Sequence, residues 1–142
     1  MINQTILILF TLLMGLYLPD NSAQLTIQVE VPDTDSGFVQ LLLFKGDKGF
    51  PEQATEALET ATAKVQSGKA IFKFENLETG IYAVSAFYDA DGDGVMRKNL
   101  FGIPKDRYGF SNDARAAFSA PTFDSASFSL SLGEHTISFT LK

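Results

Sequence analysis

Residues 69–88 have the sequence KAIFKFENLETGIYAVSAFY, in which two runs of alternating apolar residues flank a short turn. Apolar residues recur at every second position of each run, the period at which β-strand side chains point to opposite faces. The intervening NLETG segment ends at Gly80, a residue type that adopts positive φ angles without steric cost. The stretch therefore predicts two strands joined by a turn. The residues expected on their buried faces are Ala70, Phe72, Phe74, Tyr82, Val84, Ala86 and Tyr88.

The same alternation continues in both directions along the chain. Upstream, residues 25–31 alternate between apolar and polar side chains, and residues 38–45 (FVQLLLFK) form a denser apolar run. Downstream, residues 126–132 and 135–141 alternate again around a turn at Gly133. Together these runs predict six or seven strands, the seventh lying in the middle of the chain. Several short strands separated by turns are typical of an all-β sandwich and not of a doubly wound fold.

One segment follows a helical period instead. Pro51 suits the first position of a helix, because its fixed φ is helical and its missing N–H would be unpaired there. Apolar residues then recur at helical spacing, which predicts a short helix of about three turns over residues 52–65, crossing one edge of the sandwich. This apolar stripe consists of Ala54, Ala57, Leu58, Ala61 and Val65.

The composition restricts the kind of protein that this chain is. Its 142 residues, of which 45% are apolar, predict a single globular domain over residues 24–142. The absence of cysteine excludes disulfides and thiolate metal sites. With 11 basic against 17 acidic residues and a net charge of −6, the chain lacks the basic surface that nucleic-acid phosphates require.

Residues 1–23 have the pattern of a signal peptide. The uncharged run ILILFTLLMGLYL, residues 6–18, matches the apolar region of an export signal but falls short of the roughly 20 residues that span a bilayer. Ala23 is small enough to precede a cleavage point. We therefore expect an exported protein without a stable membrane anchor after cleavage. The alternative is an uncleaved N-terminal anchor, because residues 1–4 contain no Lys or Arg.

A loop of 36 residues, 89–124, separates two of the predicted strands, and long loops in compact domains are often functional. It opens with DADGDGV, which matches positions 1 to 7 of a Ca²⁺-binding loop. Three adjacent carboxylates repel one another, and a hard cation relieves that repulsion. The back half departs from the pattern, since Arg97 and Leu100 stand at positions 9 and 12. The alternative is a solvated acidic turn without metal. The predicted Ca²⁺ ligands are Asp89, Asp91, Asp93, Val95 and Asn99.

The rest of this loop combines aromatic and basic side chains. Residues 97–115 carry a local charge of +3, so the remainder of the chain carries −9. Aromatic residues beside arginines suit a glycan, an anionic small molecule or a protein partner. In the alternative interpretation, Phe101, Phe110 and Phe123 fold back as a plug over the edge of the sandwich. The predicted ligand or partner surface consists of Phe101, Arg107, Tyr108, Phe110 and Arg115.

The block FYDADGDGVMRKNLFGIPKDRYGFSNDAR, residues 87–115, followed by PTFDSASFSL, resembles the bacterial family known as domain of unknown function 2141 (DUF2141). LLLFKGDKGFP and FENLETGIYAVSAFYD fit the same pattern, so the resemblance covers residues 25–142. It implies a small exported protein, periplasmic or extracellular, with an immunoglobulin- or transthyretin-like sandwich, and it implies no specific activity. In the family pattern another Asp stands where this chain has Arg97, which weakens the Ca²⁺ interpretation for this member.

Catalytic chemistry has less support in the sequence. The single histidine, His135, shares the parity of the inward-facing residues of the last strand, and alone it cannot form a zinc site. Ser111 lies in GFSN and not in a Gly-x-Ser-x-Gly nucleophile elbow. We therefore predict a non-enzymatic binding or structural module with no cofactor other than Ca²⁺. The alternatives are a hydrolase that uses Asp89, Asp93 or His135, and a carrier of a small hydrophobic ligand held between the sheets.

Overall fold

Two β-sheets form most of the part of the chain that the structure, a computed structural model, describes, residues 21–142. Most of the predicted signal peptide, residues 1–20, lies outside the described residues. None of the helices within the described range is long and apolar enough to cross a membrane. The elements in this range are β1 (Ala23–Glu30), β2 (Phe38–Lys45), β3 (Glu59–Lys64), β4 (Lys69–Leu77), β5 (Gly80–Asp89), β6 (Tyr108–Phe110), the helix α1 (Phe123–Ala126), β7 (Phe128–Leu130) and β8 (Gly133–Thr140).

The strands are divided between a small and a large sheet. The first sheet has the order β4-β1-β8, and the second has the order β3-β2-β5-β6, with β7 paired to the beginning of β5. Strands β1 and β8 run parallel, whereas the neighbouring pairs β1–β4 and β2–β5 are antiparallel. The turn between β4 and β5 carries the chain from one sheet to the other. The predicted all-β sandwich is therefore confirmed.

Alternate residues of both sheets fill the space between them. In β1, Leu25, Ile27 and Val29 are buried while their sequence neighbours are partly exposed. Each such side chain contributes about 1.5–3 kcal/mol to stability when it is removed from water. Tyr82 of β5 is also buried, and its hydroxyl donates a hydrogen bond to the Glu78 carbonyl oxygen (2.7 Å). The period of two that predicted these strands thus correctly identified their buried faces.

The helix predicted over residues 52–65 is wrong. Only Ala54–Glu56 form a single 3-10 turn, and Glu59–Lys64 form the edge strand β3, paired with β2. Ala61 and Ala63 of β3 pack against the core between the sheets. The alanines fit either period, but pairing with β2 supplies hydrogen bonds, and the interleaved β-branched threonines favour a strand. Tertiary pairing therefore overrides the local helical pattern.

The strand predicted over residues 126–132 is shorter than expected. Ala126 is the last residue of α1, only Phe128–Leu130 form β7, and Leu132 is exposed. Within residues 21–142 the strands number eight against the six or seven predicted. The additional strands, β3 and β6, are an alanine-rich edge and a three-residue segment. Each is recognisable only through its pairing with a longer neighbour, β2 or β5.

The loop 89–124 folds back over the outer face of the second sheet. Phe110 and Ala114 form a small second core there with Ala83 of β5 and Ala126 of α1. The ring of Phe50 packs against this core, with its centroid 6.0 Å from that of Phe110 and 5.8 Å from that of Phe123. Phe110 and Phe123 therefore act as the predicted plug, although they cover a face of the sandwich and not an edge. The prediction is wrong for Phe101, which is 88% exposed and lies outside this core.

Candidate functional site

The outer face of the second sheet, beside this small core, contains a groove of about 560 Å³. Outward-facing residues of four strands form its floor. Residues 51–54 form one wall, and residues 94–98 form the other. The volume lies within the range of roughly 300–1,000 Å³ that is typical of small-molecule sites. The side chains that define its apolar surface are Leu42, Phe87, Met96, Tyr108 and Phe110.

Polar side chains on the floor of the groove bond within the protein. The amide nitrogen of Gln40 donates to Asp89 (2.7 Å), and its amide oxygen accepts from the Thr62 hydroxyl (2.5 Å). The Ser85 hydroxyl donates to the Pro51 carbonyl oxygen (2.6 Å). Because these groups are already engaged, the floor offers a ligand mainly apolar contact.

An ion pair joins the two walls. The Lys98 ammonium lies 3.9 Å from a carboxylate oxygen of Glu52, and both side chains are substantially exposed. Exposed pairs of this kind contribute only about 0–1 kcal/mol, so the pair opens at little cost. Among the residues lining the groove, these two carry formal charge. They therefore provide the charged contacts available to the polar end of a ligand.

The acidic turn begins at the end of β5, next to the groove. Asp89 is only 2% exposed, and its carboxylate accepts hydrogen bonds from the backbone N–H groups of Gly92 (2.9 Å) and Gly94 (2.8 Å) as well as from Gln40. Burial raises the pKa of Asp89, but these hydrogen bonds lower it by more than burial raises it, so the net pKa lies below its usual value. Asp89 is therefore ionised at neutral pH and holds the turn in place.

The predicted Ca²⁺ ligands are only partly brought together. Carboxylate oxygens of Asp89, Asp91 and Asp93 lie within 4.8 Å of one another. Val95 lines a small cavity of about 130 Å³ together with Asp89 and Asp91. The side-chain oxygen of Asn99, in contrast, accepts hydrogen bonds from two backbone N–H groups of the turn that follows it. The three carboxylates suit a hard cation, and the complete ligand set stays a prediction.

A guanidinium group stands beside these carboxylates. Arg97 donates to the buried Asp106 carboxylate from its backbone nitrogen (2.7 Å) and from Nε (2.7 Å), and its Nη2 makes a further contact. Burial raises the pKa of Asp106, but the bonds from Arg97 lower it by more than burial raises it. The net pKa of Asp106 is therefore below its usual value. Asp106 raises the pKa of Arg97, with smaller contributions from the charges of Asp91 and Asp93. Arg97 therefore supplies part of the positive charge that a bound cation would supply.

The predicted ligand or partner surface is divided between several places. Tyr108 and Phe110 line the groove. The Arg115 guanidinium lies 5.8 Å from the centre of the Tyr108 ring, a cation–π distance. Arg107 donates to the carbonyl oxygen of Pro32, and Phe101 is 88% exposed on a separate turn. Two of the five residues thus belong to the groove, and their role in binding stays a prediction.

The GFSND segment fastens the long loop to the sandwich. The buried Ser111 hydroxyl accepts a hydrogen bond from the backbone nitrogen of Val84 in β5 (2.9 Å) and donates one to the last carbonyl of α1 (2.5 Å). The Asn112 amide donates to the carbonyl that follows α1 (2.6 Å), and the Asp113 carboxylate accepts from a backbone N–H of β8 (2.9 Å). This distinctive part of the sequence thus holds β6 and the groove floor in position.

Two other hypotheses from the sequence, a hydrolase that uses His135 or the loop carboxylates and a carrier of a hydrophobic ligand between the sheets, concern residues outside the groove. The ring nitrogen Nε2 of His135 contacts the carbonyl oxygen (2.9 Å) and hydroxyl (3.2 Å) of Ser131. His135 belongs to the first sheet, whereas Asp89 is the last residue of β5 in the second sheet and Asp93 follows it in the acidic turn. For the carrier hypothesis, packed side chains fill the space between the sheets, and the groove lies outside it.

Leu42, Phe87 and Met96 line the groove but were not predicted as site residues from the sequence. A usable signal was present, because β2 contains the unbroken apolar run LLLF, residues 41–44. A strand that is apolar on both faces is covered on both faces. Here the second cover is the folded-back loop and the wall at residues 51–54, which leave the groove between them.

The chain resembles a known protein family. No curated protein and no solved structure matches the chain. The family model described as "Uncharacterized protein conserved in bacteria (DUF2141)" matches residues 27–138. The match runs from within β1 to within β8 and so includes both sheets, the groove and the acidic turn. The chain therefore belongs to this family of uncharacterised bacterial proteins, DUF2141.

Proposed function

We propose that this protein is an exported, non-enzymatic binding module that holds a small molecule in the groove on the outer face of the second sheet. The observation that carries the proposal is the groove itself, about 560 Å³ in volume, floored by a rigid sheet and walled by two loops. Pre-formed, largely apolar concavities with few polar groups are the usual form of small-molecule sites.

The lining residues indicate the chemistry of the ligand. Leu42, Met96 and Phe87 offer aliphatic and aromatic contact, and the neighbouring polar groups bond to the protein. A ligand with an apolar or aromatic body gains most from such a floor. When the ion pair between Lys98 and Glu52 opens, the ammonium becomes available to an anionic end of the ligand. We therefore expect an amphipathic molecule with an aromatic or alkyl body and one negative group.

The polar groups near the groove favour binding over catalysis. The Ser85 hydroxyl donates its proton to a carbonyl oxygen, so it is not aligned with a base that would activate it. Burial raises the pKa of Asp89, but hydrogen bonds from Gln40 and two backbone N–H groups lower it by more, so the net pKa lies below its ordinary value. Such a carboxylate is a weak base at neutral pH. The hydrogen bonds of Ser85 and Asp89 thus indicate a structural role for both residues.

Ca²⁺ at the acidic turn is a second part of the proposal. The convergence of Asp89, Asp91 and Asp93 within 4.8 Å, with Val95 on the same small cavity, favours it. The charge of Arg97 opposes it, as does the engagement of Asn99 elsewhere. We therefore expect weak affinity, on the order of 10⁻³ M, as in extracellular modules. Ca²⁺ would order one wall of the groove, since residues 94–98 follow the turn directly.

The groove can be tested with 1-anilinonaphthalene-8-sulfonate, which has an aromatic body and one negative charge. We expect saturable binding with a fluorescence increase, and loss of that binding in Thr60→Phe, which fills the floor. The matched control is Thr136→Phe, an exposed threonine of the first sheet, which should bind like the unmodified protein. Lys98→Gln should weaken binding several-fold. Equal binding by the two Thr→Phe variants would refute the groove as the site.

A further inference from the structure

A short turn in the long loop presents three large apolar side chains to solvent. We call this turn, residues 99–103, the tip. In the tip, Leu100 is fully exposed, Phe101 is 88% exposed and Ile103 is 58% exposed. None of the three lines the groove or belongs to either core. Soluble proteins seldom leave a contiguous apolar cluster uncovered unless it contacts a partner or a membrane.

The backbone of the tip is hydrogen-bonded within itself. The side-chain oxygen of Asn99 accepts from the N–H groups of Phe101 (2.9 Å) and Ile103 (3.0 Å). The Asn99 carbonyl oxygen accepts from Gly102 N–H (3.0 Å), and Asn99 N–H donates to the Ile103 carbonyl oxygen (2.9 Å). Apolar surroundings make unpaired backbone donors costly, so a segment that enters lipid must pair them internally. Four of the five N–H groups of the tip meet this condition.

Basic residues stand at the base of the tip. Lys98 forms a β-bridge with Pro104, and the backbone nitrogen of Lys105 donates to the Arg97 carbonyl oxygen (2.8 Å). These contacts hold together the segments that enter and leave the tip. The negative charge of Asp106 is balanced by the positive charge of Arg97, which bonds to it. The two lysines therefore remain as positive charges just behind the apolar side chains. Lys98 lies 3.9 Å from Glu52, but this exposed pair is weak.

We infer that the tip inserts into the interface of a lipid bilayer that carries anionic headgroups. Leu100, Phe101 and Ile103 would enter the acyl boundary, and Lys98 and Lys105 would contact headgroup phosphates. A protein partner or a second copy fits less well, because three side chains offer on the order of 500 Å², below the roughly 800 Å² per partner of a stable interface. This inference shares Lys98 with the proposed ligand site and otherwise uses residues that do not line the groove.

The test uses the absence of tryptophan from the chain. In the full chain, Phe101→Trp supplies a single fluorophore at the tip, and Ile71→Trp supplies one at an exposed position of the first sheet. We expect equal-parts phosphatidylglycerol and phosphatidylcholine vesicles to shift the emission of the Phe101→Trp variant to the blue, with quenching by brominated acyl chains. The emission of the Ile71→Trp variant should not change. Comparing the two separates insertion of the tip from adsorption through any other segment, the apolar run at residues 6–18 included.

A second measurement uses co-sedimentation with the same vesicles. Leu100→Ser combined with Phe101→Ser should lower the partition coefficient by at least about tenfold, since two large apolar side chains are lost. Lys105→Gln should lower it on anionic vesicles and leave it unchanged on pure phosphatidylcholine. An unshifted Phe101→Trp emission, or equal shifts for both Trp variants, would overturn the inference. So would a blue shift of the Phe101→Trp variant without lipid that follows dimerisation in sedimentation.

Discussion

Arg97 binds the buried carboxylate of Asp106 through both its main chain and its side chain. The backbone nitrogen and Nε of Arg97 each lie 2.7 Å from one of the two carboxylate oxygens. The pair closes a hairpin whose far end is the exposed tip at residues 99–103, and it lies beside the acidic turn. A single ionic contact thus connects the wall of the groove, the candidate Ca²⁺ site and the candidate membrane contact.

The Asp106 carboxylate should make stability depend on acidity. Burial raises its pKa and the bonds from Arg97 lower it, and the net pKa lies below its ordinary value. Its stabilising effect is therefore complete above the unfolded-state pKa of about 3.9 and is lost as the pH falls through the lower, folded-state pKa. Asp89, whose pKa is also lowered, adds an effect of the same sign. We expect the melting temperature to fall below about pH 4, measured by circular dichroism.

In Asp106→Asn this pH dependence should become shallower, and stability at pH 7 should decrease by about 1–3 kcal/mol, because a buried, charge-assisted hydrogen-bond set is lost. The control is Asp35→Asn, which alters an exposed carboxylate. A pH profile of Asp106→Asn that coincides with that of the unmodified protein would contradict the assignment.

Ca²⁺ should raise the melting temperature only in the millimolar range. A ligand that binds the folded state alone stabilises it once its concentration exceeds Kd. Asp91→Ala should abolish the shift, since it removes one of three converging carboxylates. Arg97→Asn should strengthen binding several-fold, because a positive charge leaves the site. No shift at millimolar Ca²⁺, or an equal shift in Asp91→Ala, would leave an acidic turn without a metal; Asp47→Ala is the control.

Removal of the Ser111 hydroxyl should loosen the long loop. In Ser111→Ala the Val84 N–H loses its acceptor in a buried environment. An unsatisfied buried donor costs about 1–3 kcal/mol, and chemical denaturation measures this loss. The control, Ser129→Ala, changes an exposed serine of β7 and should have little effect. Equal stability of the two variants would show that the contact of Ser111 with β5 contributes little.

Gly109 should tolerate no larger residue. A Cβ at this position would lie 2.8 Å from the Thr140 carbonyl oxygen and 3.1 Å from a methyl group of Leu141. Because the first neighbour is backbone, β6 and β8 would have to move apart. Gly109→Ala should therefore destabilise the protein by about 1–3 kcal/mol, as seen in thermal unfolding. Ser138→Ala on the exposed face of β8 is the control, and a melting temperature of Gly109→Ala equal to that of this control would contradict the packing argument.

The strands that form the core could be predicted because their alternation is local. In β1 and β4, residues such as Ile27 and Phe72 show the period of two that buries one face, whatever lies opposite. The acidic turn could be predicted for the same reason, since Asp89 bonds to residues only three and five positions away. The candidate site could be predicted only in part, because Tyr108 and Phe110 lie in a loop whose course depends on distant contacts.

The amino-acid sequence by itself determined the all-β class, the buried face of each long strand, the acidic turn and the family. These features depend on residues close together in the chain. Only the tertiary structure decided that residues 59–64 form an edge strand and not a helix, that Leu42 and Met96 face one groove, and that Arg97 pairs with Asp106. Each of these outcomes arises from contacts between separate segments, whose free energy outweighs the small differences in local backbone preference.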